Sequence, residues 1–266
     1  MTETSERERL RATFTEDAEL YDRARPGYPH QLYEDLSALV TLGPDCRVLE
    51  IGCGTGQATV PLAAAGCLVT AVELGPEMAA VARRNLAPYP GAEVVVSAFE
   101  DWPLPAEPFD LVFAATAFHW IDPAVRIAKS AAALRPSGVL AVVSTHHVKG
   151  GSEEFFAESQ PVYEHFDPAT PPGLRLSPAS DIPSDDAELA ASGHFGPVRV
   201  RRYEWDLAYS TRQYLDVLRT YSGHRALPAP AREGLLAGIA DLIDTRHGGS
   251  ITKRYMTELM TAGRTV

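Results

Sequence analysis

Residues 48–58 read VLEIGCGTGQA, an apolar run that carries an acid, Glu50, two residues before three glycines at alternate positions, Gly52, Gly54 and Gly56. Glycines at this spacing let the backbone turn tightly and approach a ligand closely, because no side chain stands in the way. A glycine turn between strand and helix most often holds a phosphate on the helix N-terminus, with the spacing G-x-G-x-x-G. Here the spacing is G-x-G-x-G, and a carboxylate ends the strand. A carboxylate a few ångströms from a pyrophosphate costs affinity, whereas beside an ammonium it contributes. The chemistry implied is recognition of a ligand that is cationic where a dinucleotide is anionic. Glu73, seventeen residues after Gly56, ends a second apolar run. A carboxylate there accepts from both hydroxyls of a ribose. A dinucleotide would use Glu73 too, so Glu50 is the discriminating acid.

Further along, FHW (118–120) follows an apolar run by a few residues. A histidine titrates near neutrality, so His119 suits a general base, with Trp120 as an apolar wall; the same tripeptide could simply pack a strand end. His146 and His147 are adjacent, and on an extended chain adjacent side chains face opposite ways, so one of them at most lines a site. Tyr221, His224 and Arg225 in TYSGHR either read an acidic substrate or cap a helix. Phe155, Phe156, Tyr163 and Phe166 suit an apolar or aromatic acceptor, or the packing of their own segment. Three cysteines, Cys46, Cys53 and Cys67, are odd in number and lack metal-ligand spacing, so no metal is expected and a reduced, cytoplasmic setting is.

The elements that must position these residues follow from periodicity. CRVLEIG, CLVTAVEL, AEVVVSAF, FDLVFAATAF and GVLAVVSTHH read as short buried strands. Between them lie QATVPLAAAG, closed by Gly66, PEMAAVARRNL, opened by Pro76, and PAVRIAKSAAALRP, ended by Pro136, as helices. Another helix spans about Pro29 to Val40. Strands that are apolar throughout and alternate with helices imply an α/β fold with a doubly wound, mostly parallel sheet covered on both faces. The regularity stops near Lys149, and six prolines follow before Phe195, so 149–195 reads as a lid of short helices and loops or as a passive insertion. GPVRVRRYEWDLAYS and KRYMTELMTAGR add two strands, with helices between them. The expected organisation is a core over 1–148, the insertion over 149–195, and a completion of the sheet over 196–266.

The bulk figures narrow the function classes. The 266 residues carry 24 Lys+Arg against 35 Asp+Glu, a net charge of −11, which disfavours a nucleic-acid partner. The one basic cluster, RVRRY (199–203), alternates as a solvated strand face does. No apolar run approaches a bilayer span, and the charged start, MTETSERERLRATF, has no apolar signal core. Nothing in the pattern sets an oligomeric state.

VLEIGCGTGQATVPLAAAGCLVTAVELGPEMAAVAR resembles the class I S-adenosylmethionine-dependent methyltransferases. The resemblance continues through FEDWPLPAEPFDLVFAATAFHWIDP and ALRPSGVLAVV, over about residues 15 to 145. YDRARPGYP and LRTYSGH are similar to a bacterial small-molecule branch that includes the trans-aconitate methyltransferases. S-Adenosylmethionine, with a cationic amino group and sulfonium and no phosphate, is the ligand type Glu50 calls for. The resemblance implies a seven-stranded Rossmann-like sheet and an enzyme that methylates a small molecule, a carboxylate or a secondary metabolite, leaving S-adenosylhomocysteine. It places the methionine part of the cofactor on Glu50, Gly52, Cys53, Gly54 and Gly56, the ribose on Glu73, and the adenine between Leu74 and Met78 on one side and Ala98 and Phe99 on the other. Many members have an aspartate where this chain has Ala98, so adenine recognition leans on the Phe99 backbone amide or on Glu100. Ala115 and Thr116 flank the sulfonium. Tyr21 and Arg25 close over the cofactor, Arg25 as partner of its carboxylate or as a surface arginine beside a Pro-Gly turn. Trp120, His146, Tyr221 and Arg225 remain as acceptor contacts. The rival readings are a protein of this fold that uses the cofactor for a non-methylating reaction, a cofactor-binding regulator, and an NAD dehydrogenase that would tolerate loss of the Glu50 charge.

Overall fold

The computed structural model describes residues 17–265; the charged stretch MTETSERERLRATF lies outside the described residues. The chain divides into two compact units, each made of separate segments. The core unit comprises Pro26–Thr145, Ser184–Tyr203 and the chain from Thr257 onward; the second unit comprises the chain up to Arg25, His146–Pro183 and Glu204–Met256.

In chain order the elements are α1 (Ala18–Ala24), α2 (His30–Ser37), β1 (Arg47–Ile51), α3 (Thr59–Ala64), β2 (Leu68–Glu73), α4 (Pro76–Leu86), β3 (Ala92–Val96) and β4 (Phe109–Ala115). A 3-10 turn at Phe118–Trp120 leads to α5 (Pro123–Ala133), β5 (Leu134–Gly151), α6 (Glu153–Phe166) and α7 (Ala187–Ala191). Then come β6 (Arg199–Ser210), α8 (Thr211–Arg219), α9 (Ser222–Ala226), α10 (Ala229–Arg246) and β7 (Ser250–Gly263). The seven strands form one sheet in the order β3-β2-β1-β4-β5-β7-β6. Every pairing from β3 to β5 is parallel. This is the α/β arrangement that the alternation of apolar strands and helices implies.

The parallel part, with β5 up to Thr145, lies in the core unit, and β1 and β4 at its centre are buried on both faces. Val48, Val69, Leu111 and Phe113 pack with Leu32, Leu36 and Leu62 on one side. Leu49, Val72, Val112 and Leu140 pack with Ile127, Ala131 and Leu134 on the other. Side chains alternate along a strand, so Glu50 shares the face of Val48, where α2 and α3 pack. Helix starts follow the local chemistry. Asp122 caps α5 by accepting from the Ala124 amide at 2.9 Å, and Pro76 occupies the first turn of α4, where a missing N–H does no harm.

The α5–β5 junction departs from its expected form. The helix ends at Ala133 rather than at Pro136, and the strand already includes Leu134. Proline disfavours helical backbone in the residue before it, here Arg135. Phe109 stands opposite Leu134 but Leu111 opposite Val139, so residues 135–138 bulge out, with Ser137 at φ 62°. Asp110 holds the bulge: its carboxylate accepts from the Arg47 amide at 2.8 Å and pairs with Arg135. β5 also runs past the expected His147 to Gly151. Residues 149–183 fall in the second unit and 184–195 in the core unit.

The second unit has its own apolar centre of Phe155, Tyr214, Leu218, Leu235, Ile239, Ile243 and Ile251. Its α8 begins with a reciprocal cap between Ser210 and Gln213.

Candidate cofactor site

The turn after β1 is built from backbone that side chains resist. Gly52, Gly54 and Gly56 all have positive φ, at 69°, 58° and 92°. A Cβ on Gly52 would stand 2.6 Å from the Cβ of Ala117, in the loop after β4. The ends of β1 and β4 therefore meet with only hydrogen between them. Glu73 fastens the arrangement from β2, accepting from the Gly54 amide at 2.8 Å with one oxygen and from the Gly75 amide at 2.8 Å with the other.

Glu50 is 1% exposed and its Oε2 has no hydrogen-bond partner among the described residues. The Thr55 hydroxyl is likewise buried and unpartnered among the described residues, and the Thr59 hydroxyl is buried beside the Glu50 carboxyl. Burial raises the Glu50 carboxyl to about 7; the Thr59 hydroxyl opposes the shift and the Glu73 charge adds to it. A buried, unsatisfied acid is costly in a free protein. It becomes favourable once a cation reaches it. The Tyr33 phenol is pushed up by burial and then by the Glu50 charge, so Tyr33 stays neutral beside it. Burial, with Glu50 and Glu73, also raises the Cys53 thiol, which makes it an inert wall.

Leu74, Met78, Ala98, Phe99, Glu100, Ala115, Thr116, His119 and Trp120 also belong to the core unit. Leu74, at the end of β2, is 40% exposed, while Met78 and Phe99 are buried. Ala98 gives its carbonyl to the amides of Asp101 and Trp102. Glu100 accepts from the Asp122 amide at 3.1 Å and so ties this loop to the start of α5. At the end of β4, Ala115 is buried and Thr116 takes φ 52°, unusual for a β-branched residue. The Thr116 hydroxyl lies 3.0 Å from the Tyr28 hydroxyl. His119 lies on the 3-10 turn, its ring centroid 4.7 Å from that of Trp120. Desolvation and the Arg126 charge hold its imidazole below the ordinary value against Asp185, so it is neutral near pH 7. Sequence reasoning passed over Tyr28, Tyr33, Thr55, Thr59 and Ala117. Tyr28 stood inside the quoted YDRARPGYP, but no spacing rule links it to the loop after β4.

Tyr21, Arg25, His146, Tyr221 and Arg225 belong to the second unit. The Arg25 guanidinium donates to the Thr220 carbonyl at 3.1 Å and lies over the rings of Tyr21 and Tyr221. The Arg225 Nε donates to the Arg219 carbonyl at 2.8 Å, in an open cleft shared with Arg219 and Arg232. Among the described residues no helix is long and apolar enough to cross a membrane, and no three His, Cys, Asp or Glu side chains group as metal ligands do.

Residues 49–142 match the family model described as a methyltransferase domain. An uncharacterised methyltransferase of Mycobacterium tuberculosis is 36% identical over 140 residues, 53% of this chain and 55% of the relative. A trans-aconitate 2-methyltransferase of Paracidovorax citrulli is 34% identical over 125 residues, 46% of this chain and 45% of the relative. The chain thus spans about half the length of these curated relatives. The solved structure of a protein described provisionally as a type II methyltransferase, from Anaeromyxobacter dehalogenans, is similar with a TM-score of 0.61 at 25% identity, covering 90% of this chain and 97% of that one. Residues 49–142 thus match a methyltransferase domain, and the chain is similar in fold to a solved structure of that description.

Proposed function

We propose that this protein is an S-adenosylmethionine-dependent methyltransferase acting on a small molecule. The observation that carries the reading is Glu50, a buried carboxyl with an unpartnered oxygen beside a turn that only glycines can form. An α-ammonium group satisfies that oxygen, and a pyrophosphate does not. Glu73, anchored to two backbone amides at the end of β2, is assigned to the ribose diol. Leu74 offers an exposed apolar surface to a flat ring, and Met78 and Phe99 are the buried apolar side chains assigned with it. Without an aspartate at position 98, a ring amino group is left to the loop of Phe99 and Glu100. Ala115 and Thr116 leave the end of β4 narrow and strained, as ligand clamps often are.

S-Adenosylmethionine supplies, when bound, a methyl carbon already activated by its sulfonium. The protein's share of the work is to hold the acceptor in line with that carbon and to manage a proton if the acceptor loses one. His119, neutral at physiological pH, takes that proton from a hydroxyl or amine acceptor; a carboxylate acceptor needs no base. His119→Ala is expected to lower kcat by about a hundredfold for a protic acceptor, with KM for the cofactor unchanged. Equal rates for both proteins would reduce His119 to packing.

Calorimetric titration with S-adenosylmethionine, with NAD in parallel, tests the cofactor. Binding of the first alone is expected, with Glu73→Ala weakening it by roughly 10- to 100-fold through loss of charge-assisted hydrogen bonds. Binding of NAD alone, or of neither, would overturn the reading. Methylated product from an acceptor screen separates the methyltransferase from a non-methylating use of the same cofactor.

A further inference from the structure

Among the described residues, two cations of the second unit, Lys253 and Arg25, have no acid partner. Lys253, on β7, is 3% exposed. Its ammonium donates to the Tyr221 hydroxyl at 2.7 Å and lies 4.8 Å from the centre of the Tyr255 ring. The Arg25 guanidinium lies 4.5 Å from the centre of the Tyr221 ring. Among the described residues, no carboxylate contacts either cation. The Arg25 Nε is buried without a partner, and so is the Nε2 of His147. Elsewhere in the same unit cations are paired in the ordinary way: Arg254 with Asp206 through two hydrogen bonds, and Arg246 and His247 with Glu158. A buried ammonium without a counter-charge is strongly unfavourable, so the exception calls for a missing anion.

The surroundings are rigid and rich in neutral donors. Tyr209 and Tyr255 share a hydrogen bond at 2.8 Å, Trp205 stacks on Tyr255 at 4.8 Å, and Tyr163 meets His224 Nε2 at 3.2 Å. Burial, then the Lys253 charge, lowers His147 to about 2. Burial likewise lowers His224 to about 4, against the Asp167 charge, so both rings stay neutral near pH 7. Burial works against ionising Tyr221, yet Lys253 and Arg25 hold its phenol below the ordinary value. The two cations thus draw negative charge toward the Tyr221 oxygen. Tyr221, Arg25 and His147 are only partly buried, which leaves them reachable by a solute.

We propose that Lys253, Tyr221 and Arg25 form a binding site in the second unit for an oxyanion group, a carboxylate or a phosphate, of a small solute. The anion accepts from the ammonium's two remaining N–H groups and from Arg25 Nε–H, while Tyr221 keeps its proton and acts as a further donor. The site stands apart from the assignment of Glu50 and Glu73. Its test is calorimetric titration of the full chain with propane-1,2,3-tricarboxylate, with glycerol 3-phosphate and with glycerol as an uncharged control. Tyrosinate absorbance is followed in the near ultraviolet. At least one oxyanion is expected to bind and glycerol not to; whichever binds names the source of the charge. Oxyanion binding should diminish the tyrosinate signal. Lys253→Met should weaken binding by at least about tenfold, whereas Lys253→Arg should retain it. If Lys253→Met does not fold, Tyr221→Phe serves: it should remove the absorbance change and weaken binding. Failure of both oxyanions to bind better than glycerol, or a folded Lys253→Met or Tyr221→Phe that binds like the wild type, would overturn the proposal. Titration of the same proteins with S-adenosylmethionine reports separately on the cofactor reading.

Discussion

Glu50→Gln is expected to abolish measurable S-adenosylmethionine binding while making the free protein more stable at neutral pH and above. Both effects have one cause. In the folded chain the Glu50 carboxyl titrates near 7, against an ordinary 4.5, because it is buried without a full set of partners. A folded value raised above the unfolded one means that the fold favours the protonated acid. Its contribution is therefore intact below about pH 4.5 and is lost as pH rises through about 7. The loss amounts to roughly 3 kcal/mol by the linkage relation. Glutamine cannot ionise, so the stability difference between variant and wild type should grow between pH 4.5 and 7.5 and then level off. Urea unfolding at a series of pH values measures it. Binding runs the other way. A cationic ligand selects the carboxylate, so wild-type affinity should rise by up to about tenfold per pH unit below 7 and reach a plateau above it. The glutamine variant should lose about a hundredfold or more and show no such slope. A variant that binds as tightly as the wild type, with the same pH profile, would remove Glu50 from the site.

What could be read from residues alone was the part governed by short-range rules. Alternating apolar runs gave the parallel strands, and the acid-then-glycine pattern marked the turn after β1. The positive φ at Gly52, Gly54 and Gly56 is the conformation that glycine spacing announces. Both acids read as strand ends; in the fold Glu50 lies within β1 and is buried, whereas Glu73 ends β2. Illegible were contacts between segments distant in sequence. Ala117 meeting Gly52, and Tyr28 meeting Thr116, depend on how the ends of β1 and β4 converge, and an alanine or a tyrosine carries no signal of that. The second unit was harder still. Its pieces come from three separated stretches, so a boundary drawn along the chain at 149 and 195 could not follow it. Tyr221 and Arg225 looked like one polar set because they are neighbours in sequence. The partners the structure adds come from elsewhere in the chain: Lys253 at the Tyr221 hydroxyl, and the Arg219 carbonyl at the Arg225 Nε.

Gly52→Ala should be the most disruptive single methyl group that can be added to the core unit's glycine turn. Two penalties combine. At φ 69° an L-residue suffers backbone strain of about 1–2 kcal/mol. The new Cβ would also stand 2.6 Å from the Ala117 Cβ, and neither atom is the end of a flexible side chain, so backbone must move. Overpacking of this kind costs about 1–3 kcal/mol. Together they predict a destabilisation of roughly 2–5 kcal/mol, and cofactor binding should fall with it because Gly54 and Glu73 are fixed to the same turn. Gly193→Ala separates the two penalties. It has nearly the same φ, 71°, but nothing within 4 Å of the added carbon, so only the strain remains. Ala117→Gly in the Gly52→Ala background removes the opposing methyl group and should recover the larger part of the contact penalty, though not the strain. Urea unfolding of the wild type, Gly52→Ala, Ala117→Gly and the double variant yields the coupling between positions 52 and 117 directly. A coupling near zero would mean that the loops after β1 and β4 do not touch, and the close-packed cradle for the cofactor would have to be abandoned.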